Sequence, residues 1–143
     1  MKIEKIKEDH YKDLADFLSD NFFPKKNFLF YINKFNYFWE ENPSFNNKDL
    51  RGYILLEDNE IKGSILNIPI EYIYKRNSVI KISCPSYWYV DKYHRSQSLN
   101  ILLEYIKSNE LIVNSTVNKL TLPIYKRLNF IDINNNNNFI KIN

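Results

Sequence analysis

Tyr87-Trp88-Tyr89-Val90-Asp91-Lys92-Tyr93-His94-Arg95-Ser96-Gln97-Ser98-Leu99 is the turning point of this 143-residue sequence. An apolar, aromatic run ends at Val90, a polar loop follows, and the apolar spacing then changes. Leu99, Leu102, Leu103 and Ile106 recur with a helical period, which predicts a helix ending near Lys107-Ser108-Asn109. Upstream, Val79 to Val90 reads as a long strand interrupted by Pro85. Two earlier strands are predicted, Arg51 to Glu57 and Glu60 to Tyr74, joined by the turn pair Asp58-Asn59. Gly63 marks a bulge or a close backbone approach, and Arg76-Asn77 makes the next turn.

Further out, Lys2 to Ile6 suits a short edge strand. Asp9 is placed to cap a helix over Tyr11 to Phe22, with Leu14, Phe17, Leu18 and Phe22 on one stripe. Pro24 interrupts. A second, aromatic helix is predicted over Lys26 to Glu41, ended by Asn42-Pro43-Ser44. After the central helix come a strand over Leu111 to Thr116, a helix over Leu120 to Leu128 and a strand over Phe130 to Ile133. The five-asparagine run Asn134 to Asn138 reads as a loop before a last strand, Phe139 to Ile142. The expected order is β-α-α-β-β-β-α-β-α-β-β, without repeat or linker, as one domain over residues 1–143.

Composition removes several function classes. Hydrophobic residues at 44% and charged residues at 26% describe an ordinary globular chain that buries roughly two-thirds of its unfolded surface. Two glycines are too few for a Walker-type phosphate loop, and the single Cys84 excludes disulfide frameworks and cysteine-rich zinc modules. His10 and His94 lack metal-ligand spacing, so no metal is expected. A net charge of +3 gives no strong field for nucleic acid. Met1 to His10 alternates charge without an apolar core, and no apolar run approaches a membrane span, so a cytoplasmic protein is expected.

In order and in two segments the chain resembles the GNAT superfamily of N-acetyltransferases. The first segment is the one quoted above. In that family the fourth strand ends in Val and a polar turn, and an Arg/Gln-x-x-Gly-x-Gly/Ala loop opens a helix. Here Arg95-Ser96-Gln97-Ser98-Leu99-Asn100 takes that place, with Ser98 and Asn100 where glycines are usual. The physical logic is anion binding: loop amides, the helix N-terminus and the Arg charge converge on a pyrophosphate. Serine still caps a helix, but losing both glycines raises the steric cost of close approach. The second segment is Asn118-Lys119-Leu120-Thr121-Leu122-Pro123-Ile124-Tyr125-Lys126-Arg127-Leu128-Asn129-Phe130. It matches the family's Asn, its helix, and the Tyr-x-x-Leu-Gly-Phe ending, with Asn129 for Gly, a residue that tolerates the left-handed conformation.

The resemblance implies an α/β (α+β) fold with a mixed, mostly antiparallel twisted sheet flanked by about four helices. It implies acyl-coenzyme A, most simply acetyl-coenzyme A, as cosubstrate and a primary amine as acceptor. Cofactor contacts fall to Tyr89, Val90, Arg95, Ser96, Gln97, Ser98, Leu99, Asn100 and Asn118. Tyr125 protonates the departing thiolate, and a backbone N–H around Tyr89 to Asp91 polarises the thioester carbonyl. Leu111 to Thr116 would splay from the fourth strand to hold the pantetheine arm, and the Lys26–Trp39 aromatics would wall the acceptor cleft. Cys84-Pro85-Ser86-Tyr87-Trp88-Tyr89-Val90 has a looser similarity to acyltransferases of bacterial surface-polysaccharide clusters, which suggests an amino-sugar acceptor.

Other readings stay open beside this one. Tyr125 also suits plain helix packing, Arg95 a solvated surface, His94 an exposed loop and Cys84 a buried strand position without a visible base. Glu71 and Asp91 are available as general bases, and neither position is diagnostic. The absent glycines also fit a GNAT-like binding module that no longer turns over, or a donor carried by acyl-carrier protein. A homodimer is compatible with all of these.

Overall fold

A computed structural model describes residues 1–74, 78–133 and 138–143. Its strands are β1 (Lys2–Lys5), β2 (Gly52–Glu57), β3 (Glu60–Tyr74), β4 (Ser78–Val90), β5 (Leu111–Asn114), β6 (Ile131–Asp132) and β7 (Phe139–Ile142). Its helices are α1 (Tyr11–Asn21), α2 (Phe28–Phe35), α3 (Ser98–Lys107) and α4 (Leu122–Arg127). The strands form one sheet in the order β1-β2-β3-β4-β5-β7-β6. Every neighbouring pair is antiparallel except β4 and β5. This is the expected α/β fold, with its mostly antiparallel mixed sheet and four helices.

The sheet separates two apolar cores. One face packs Tyr53, Leu55, Ile65 and Ile112 against α3 and α4, through Ile101, Leu102, Tyr105 and Tyr125. The other face packs Ile54 and Leu66 against Leu14, Ala15 and Leu18 of α1 and against Tyr31, Phe35, Phe38 and Trp39. The chain's only alanine is fully buried there. Strand alternation assigns the cores: odd residues of β2 face α3 and even ones face α1 and α2.

Several local expectations change. Asp9 does not cap α1; a 3-10 turn over Glu8–His10 leads in, and the Lys7 N–H donates to His10 Nδ1 at 3.2 Å. The second aromatic helix is shorter than predicted. Asn27 caps it by accepting the Phe30 N–H, and after Phe35 it widens into a π turn closed by Glu41 N–H to Asn36 O at 2.8 Å. That turn buries the adjacent Phe38 and Trp39. Pro85 does not interrupt β4, where it pairs opposite Asn67 in the ladder with β3.

The Asp58-Asn59 turn forms with positive φ at both residues, and Asn129 adopts φ +60° behind α4 as expected of a glycine substitute. Gly63 is a close approach: a Cβ there would meet Val90 Cγ2 at 2.8 Å. The strand predicted over Leu111 to Thr116 ends at Asn114, where the Asn114 side chain accepts the Thr116 N–H and turns the chain. Lys26 to Glu41, Leu120 to Leu128 and Phe130 to Ile133 likewise exceed the elements observed. The Arg76-Asn77 turn and all but the last residue of the asparagine run lie outside the described residues.

Candidate active site

β4 positions the site twice, at a bulge and at its divergence from β5. Ser64 opposes Tyr89 and Leu66 opposes Ser86, so Ile65 alone faces both Tyr87 and Trp88. The extra residue breaks the ladder and turns the strand. Tyr87 takes φ +48°, a conformation costly for an aromatic residue. Rings hold it there: Phe22, just after α1, at 5.0 Å, Tyr31 of α2 at 5.7 Å and Phe38 at 6.3 Å between centroids. The Ser64 hydroxyl donates to the Tyr87 carbonyl at 3.1 Å.

On its other edge, β4 pairs with β5 only at Ser83 and Ile112. Beyond that point no further β4–β5 pair forms among the described residues. The opening leads to a cleft of about 440 Å³ between the end of α1, the end of β4, the start of α3 and the segment before α4. Five expected cofactor residues line it together: Tyr89, Val90, Arg95, Ser98 and Asn118. Ser96, Gln97, Leu99 and Asn100 do not. Leu99 is exposed, and the Asn100 side chain donates to Gln97 Oε1 at 2.8 Å along the helix. Phe22, Phe23 and Trp88 also line the cleft and were missed as site residues, because nothing in their spacing separates them from core aromatics.

The loop differs from a simple cradle of free amides. The N–H groups of His94, Gln97 and Ser98 donate to the carbonyls of Asp91, His94 and Arg95, winding the loop into 3-10 turns. Positive charge in the cleft therefore comes from Arg95, whose guanidinium lies 5.8 Å from the Tyr89 ring centroid, and from the first turn of α3. Below, His94 bridges two carboxylates, with Nε2 2.9 Å from Glu57 Oε2 and Nδ1 3.0 Å from Asp91 Oδ2. The two carboxylates, Asp91 first and Glu57 second, raise the His94 pKa. Asp91 is lowered in return: burial opposes its charge, but the bonds from His94 and the Tyr93 N–H outweigh it.

Asn118 has a structural task as well. Its side-chain oxygen accepts from the backbone N–H groups of Leu120 and Thr121, at 2.9 and 3.0 Å, and shapes the entry to α4. Tyr125 is buried and does not line the cleft, whereas its neighbours Trp88 and Ile124 do. Its hydroxyl accepts a hydrogen bond from Asn114 Nδ2 at 2.7 Å. Burial pushes its pKa up to about 12, against the lowering effect of Asn114. The phenol keeps its proton across the neutral range. The Asp91 N–H, expected among carbonyl-polarising amides, is occupied by the Lys62 carbonyl at 2.9 Å.

No protein-family profile matches the sequence, and no curated sequence is similar to it. Solved structures are similar in fold. NAA60 of Arabidopsis thaliana, in complex with acetyl-CoA, superposes with a TM-score of 0.67 at 12% identity over 99% of both chains. The N-acetyltransferase YlbP of Bacillus subtilis, in complex with coenzyme A, gives 0.56 at 13% identity over 99% of this chain and 96% of its own. An acetyltransferase of the GNAT family from Streptococcus pneumoniae gives 0.60 at 13% identity over 99% and 98%. With a divergent β4–β5 pair at the centre of a seven-stranded sheet, the chain has the fold of the GNAT acetyltransferases.

Proposed function

We propose that the protein is an acyl-coenzyme A-dependent N-acyltransferase that moves an acetyl group to a primary amine by direct attack in a ternary complex. The observation that carries this reading is the divergence of β4 from β5, which opens onto a cleft bearing Arg95 and the start of α3. In this reading Arg95 and the α3 N-terminus take the pyrophosphate, and the pantetheine arm runs between the two strands. The bulge at Tyr87 and Trp88 presents backbone to the thioester carbonyl. The neutral amine attacks that carbon, the carbon–sulfur bond breaks, Tyr125 gives its proton to the leaving thiolate, and the proton shed by the acylated nitrogen returns through solvent to the phenolate. Fold likeness to structures holding acetyl-CoA or coenzyme A supports the cosubstrate. The acceptor screen begins with amino-sugars, on the strength of the Cys84–Val90 resemblance.

One observation favours a second reading, a module that binds acyl-coenzyme A without transfer: Tyr125 lies outside the cleft surface, behind Trp88. Thermal unfolding with acetyl-coenzyme A, desulfo-coenzyme A and adenine nucleotide tests the binding step. At about a hundred times the dissociation constant, binding stabilises by ~2.7 kcal/mol, a rise on the order of 5–10 °C for a chain of this size. A rise that shrinks in Arg95→Ala places the cofactor, and thiol release with an amine then separates transferase from module. No rise at millimolar cofactor overturns the proposal.

A further inference from the structure

A second cleft, of about 530 Å³, opens at the other end of α3. Ser108, Asn109 and Glu110 border it just after the helix, whereas the cleft around Arg95 begins at Ser98. About 15 Å of helix separates the two, and they share no lining residue. The end of β1, the segment before β2 and the middle of β3 and β4 complete its walls.

The floor is polar, buried and already tied together. Asn67 is 2% exposed and Asn109 8%. The Ser83 hydroxyl donates to Asn109 Oδ1, and Asn109 Nδ2 donates to the Tyr105 carbonyl at 2.6 Å. Asn67 is fixed by the Leu50 carbonyl and the Tyr105 hydroxyl, both at 2.8 Å. With both amides engaged, the floor supplies a fixed shape rather than charge.

Charge comes from the walls. Five cationic side chains line the cleft against two carboxylates, Asp49 and Glu110. Arg51 is already committed: its guanidinium lies 3.0 Å from Glu8 and 3.3 Å from Glu40, and its Nε donates to the Tyr11 hydroxyl at 2.9 Å. Lys81 is held by Asp49, with Glu71 3.8 Å away. Lys5, Lys7 and Lys48 are exposed and form no ion pair among the described residues. They come from two segments far apart in sequence and converge on one opening, against Glu110. Like charges gathered around one opening repel one another, and a bound anion relieves that repulsion.

The donor set selects the anion. A carboxylate is matched best by the planar fork of an arginine, and the lining arginine is occupied by Glu8 and Glu40. Ammonium groups act instead as point charges, which suits the spread charge of a phosphate with its several oxygens. The volume lies within the roughly 300–1,000 Å³ of small-molecule sites, so there is room for an organic body beyond the phosphate.

We infer that this cleft binds a phosphate monoester of a small polar molecule, with Lys5, Lys7 and Lys48 holding the phosphate. The inference does not depend on the acyl-transfer reading, because it uses no residue of the cleft around Arg95.

Amide chemical-shift titration of the full chain with inorganic phosphate tests it, at an ionic strength held constant with sodium chloride. The bare ion binds with a Kd on the order of 1–10 mM and shifts the amides of Lys7, Lys48 and Asn109. Glycerol phosphate binds the same amides at least as tightly, since its body enters the cleft. Lys7→Gln combined with Lys48→Gln changes two exposed positions and weakens phosphate about tenfold, with the rest of the spectrum native. Lys48→Gln alone weakens it about threefold and serves if the double variant fails to fold. Arg95→Ala leaves it within about twofold. The absence of shifts at Lys7 and Lys48 up to about 50 mM phosphate overturns the inference. So do shifts confined to Arg95 and Ser98, which place the anion in the other cleft, and an unchanged affinity in the folded lysine variants. Citrate binding the same amides more tightly than glycerol phosphate overturns the phosphate class and assigns the cleft to a polycarboxylate.

Discussion

His94 Nε2 lies 2.9 Å from Glu57 Oε2 and so ties the loop that opens α3 to the end of β2. The same ring meets Asp91 at the end of β4, and Lys62 adds a positive charge near both carboxylates. The imidazole sits between two carboxylates at the start of the Asp91–Gln97 loop, which raises its pKa.

The bridge predicts a pH dependence of cofactor binding. The folded His94 pKa is raised above its unfolded value. Its contribution is therefore complete below the unfolded pKa, about 6.5, and is lost as pH rises through the higher folded value. Asp91 is lowered, so its share is lost only under strongly acidic conditions, as pH falls through its folded value. The thermal rise with acetyl-coenzyme A should shrink as pH rises above about 6.5 in the wild type. In His94→Gln it should be smaller at pH 6 and change less with pH. Equal pH profiles for the two proteins would remove the bridge from cofactor binding.

Tyr125→Phe separates packing from proton transfer. The Tyr125 hydroxyl accepts from Asn114 Nδ2 in a buried setting, and its loss leaves that donor unpaired at a cost of about 1–3 kcal/mol. Affinity for acetyl-coenzyme A should stay within about twofold, because Tyr125 does not line the cleft. If the phenol supplies the thiolate proton, kcat falls by about 10²–10⁴-fold. With its pKa near 12, the wild-type rate should show no fall from Tyr125 ionisation up to about pH 10. An unchanged kcat would assign Tyr125 to packing alone.

The element order was legible because each signal was local: a continuous apolar run over β2, the Asp58-Asn59 turn, and the change to helical period after Val90. Asn129 was legible for the same reason, since few residues accept its φ of +60°. The bulge was not. Tyr87 at φ +48° is held by Phe22, Tyr31 and Phe38, from helices far away in sequence, and no local preference announces it. Arg95 and Asn118, named through the family resemblance, both line the cleft. Phe22, Phe23 and Trp88 were not named, since an aromatic lining a cleft and one filling a core look alike in a chain with 23 of them. The His94 bridge needed Glu57, which only the sheet brings near.

Gly52→Ala should be the more damaging of the two glycine replacements. Gly52 has φ +122°, and a Cβ there would stand 2.1 Å from the Ile65 carbonyl oxygen and 2.8 Å from Leu66 Cα. Both obstacles are backbone in the sheet centre and cannot move aside. Backbone strain and overpacking together cost about 3–5 kcal/mol, which lowers Tm by roughly 10–20 °C. Gly63 lies in ordinary strand conformation, and its nearest obstacle is a Val90 methyl, so Gly63→Ala should cost less. Thermal unfolding of the two variants side by side checks the order.

Asn67 joins the two cores through the sheet, and its replacement tests whether hydrogen bonds or packing hold them together. It is buried, with Oδ1 accepting from the Tyr105 hydroxyl and Nδ2 donating to the Leu50 carbonyl, both at 2.8 Å. Its backbone carbonyl accepts from Trp39 Nε1 at 2.7 Å, so one residue links α3, the turn after α2 and the approach to β2. Asn67→Leu keeps the branched skeleton but orphans a phenol and a carbonyl, at a cost of about 2–4 kcal/mol. Tyr105→Phe alone leaves Oδ1 unpaired and costs about 1–2 kcal/mol. The double variant removes donor and acceptor together, so its loss should fall below the sum of the single losses by about 1 kcal/mol or more. Strict additivity in urea unfolding would instead show that the two side chains stabilise the fold through separate contacts, with the hydrogen bond between them contributing nothing.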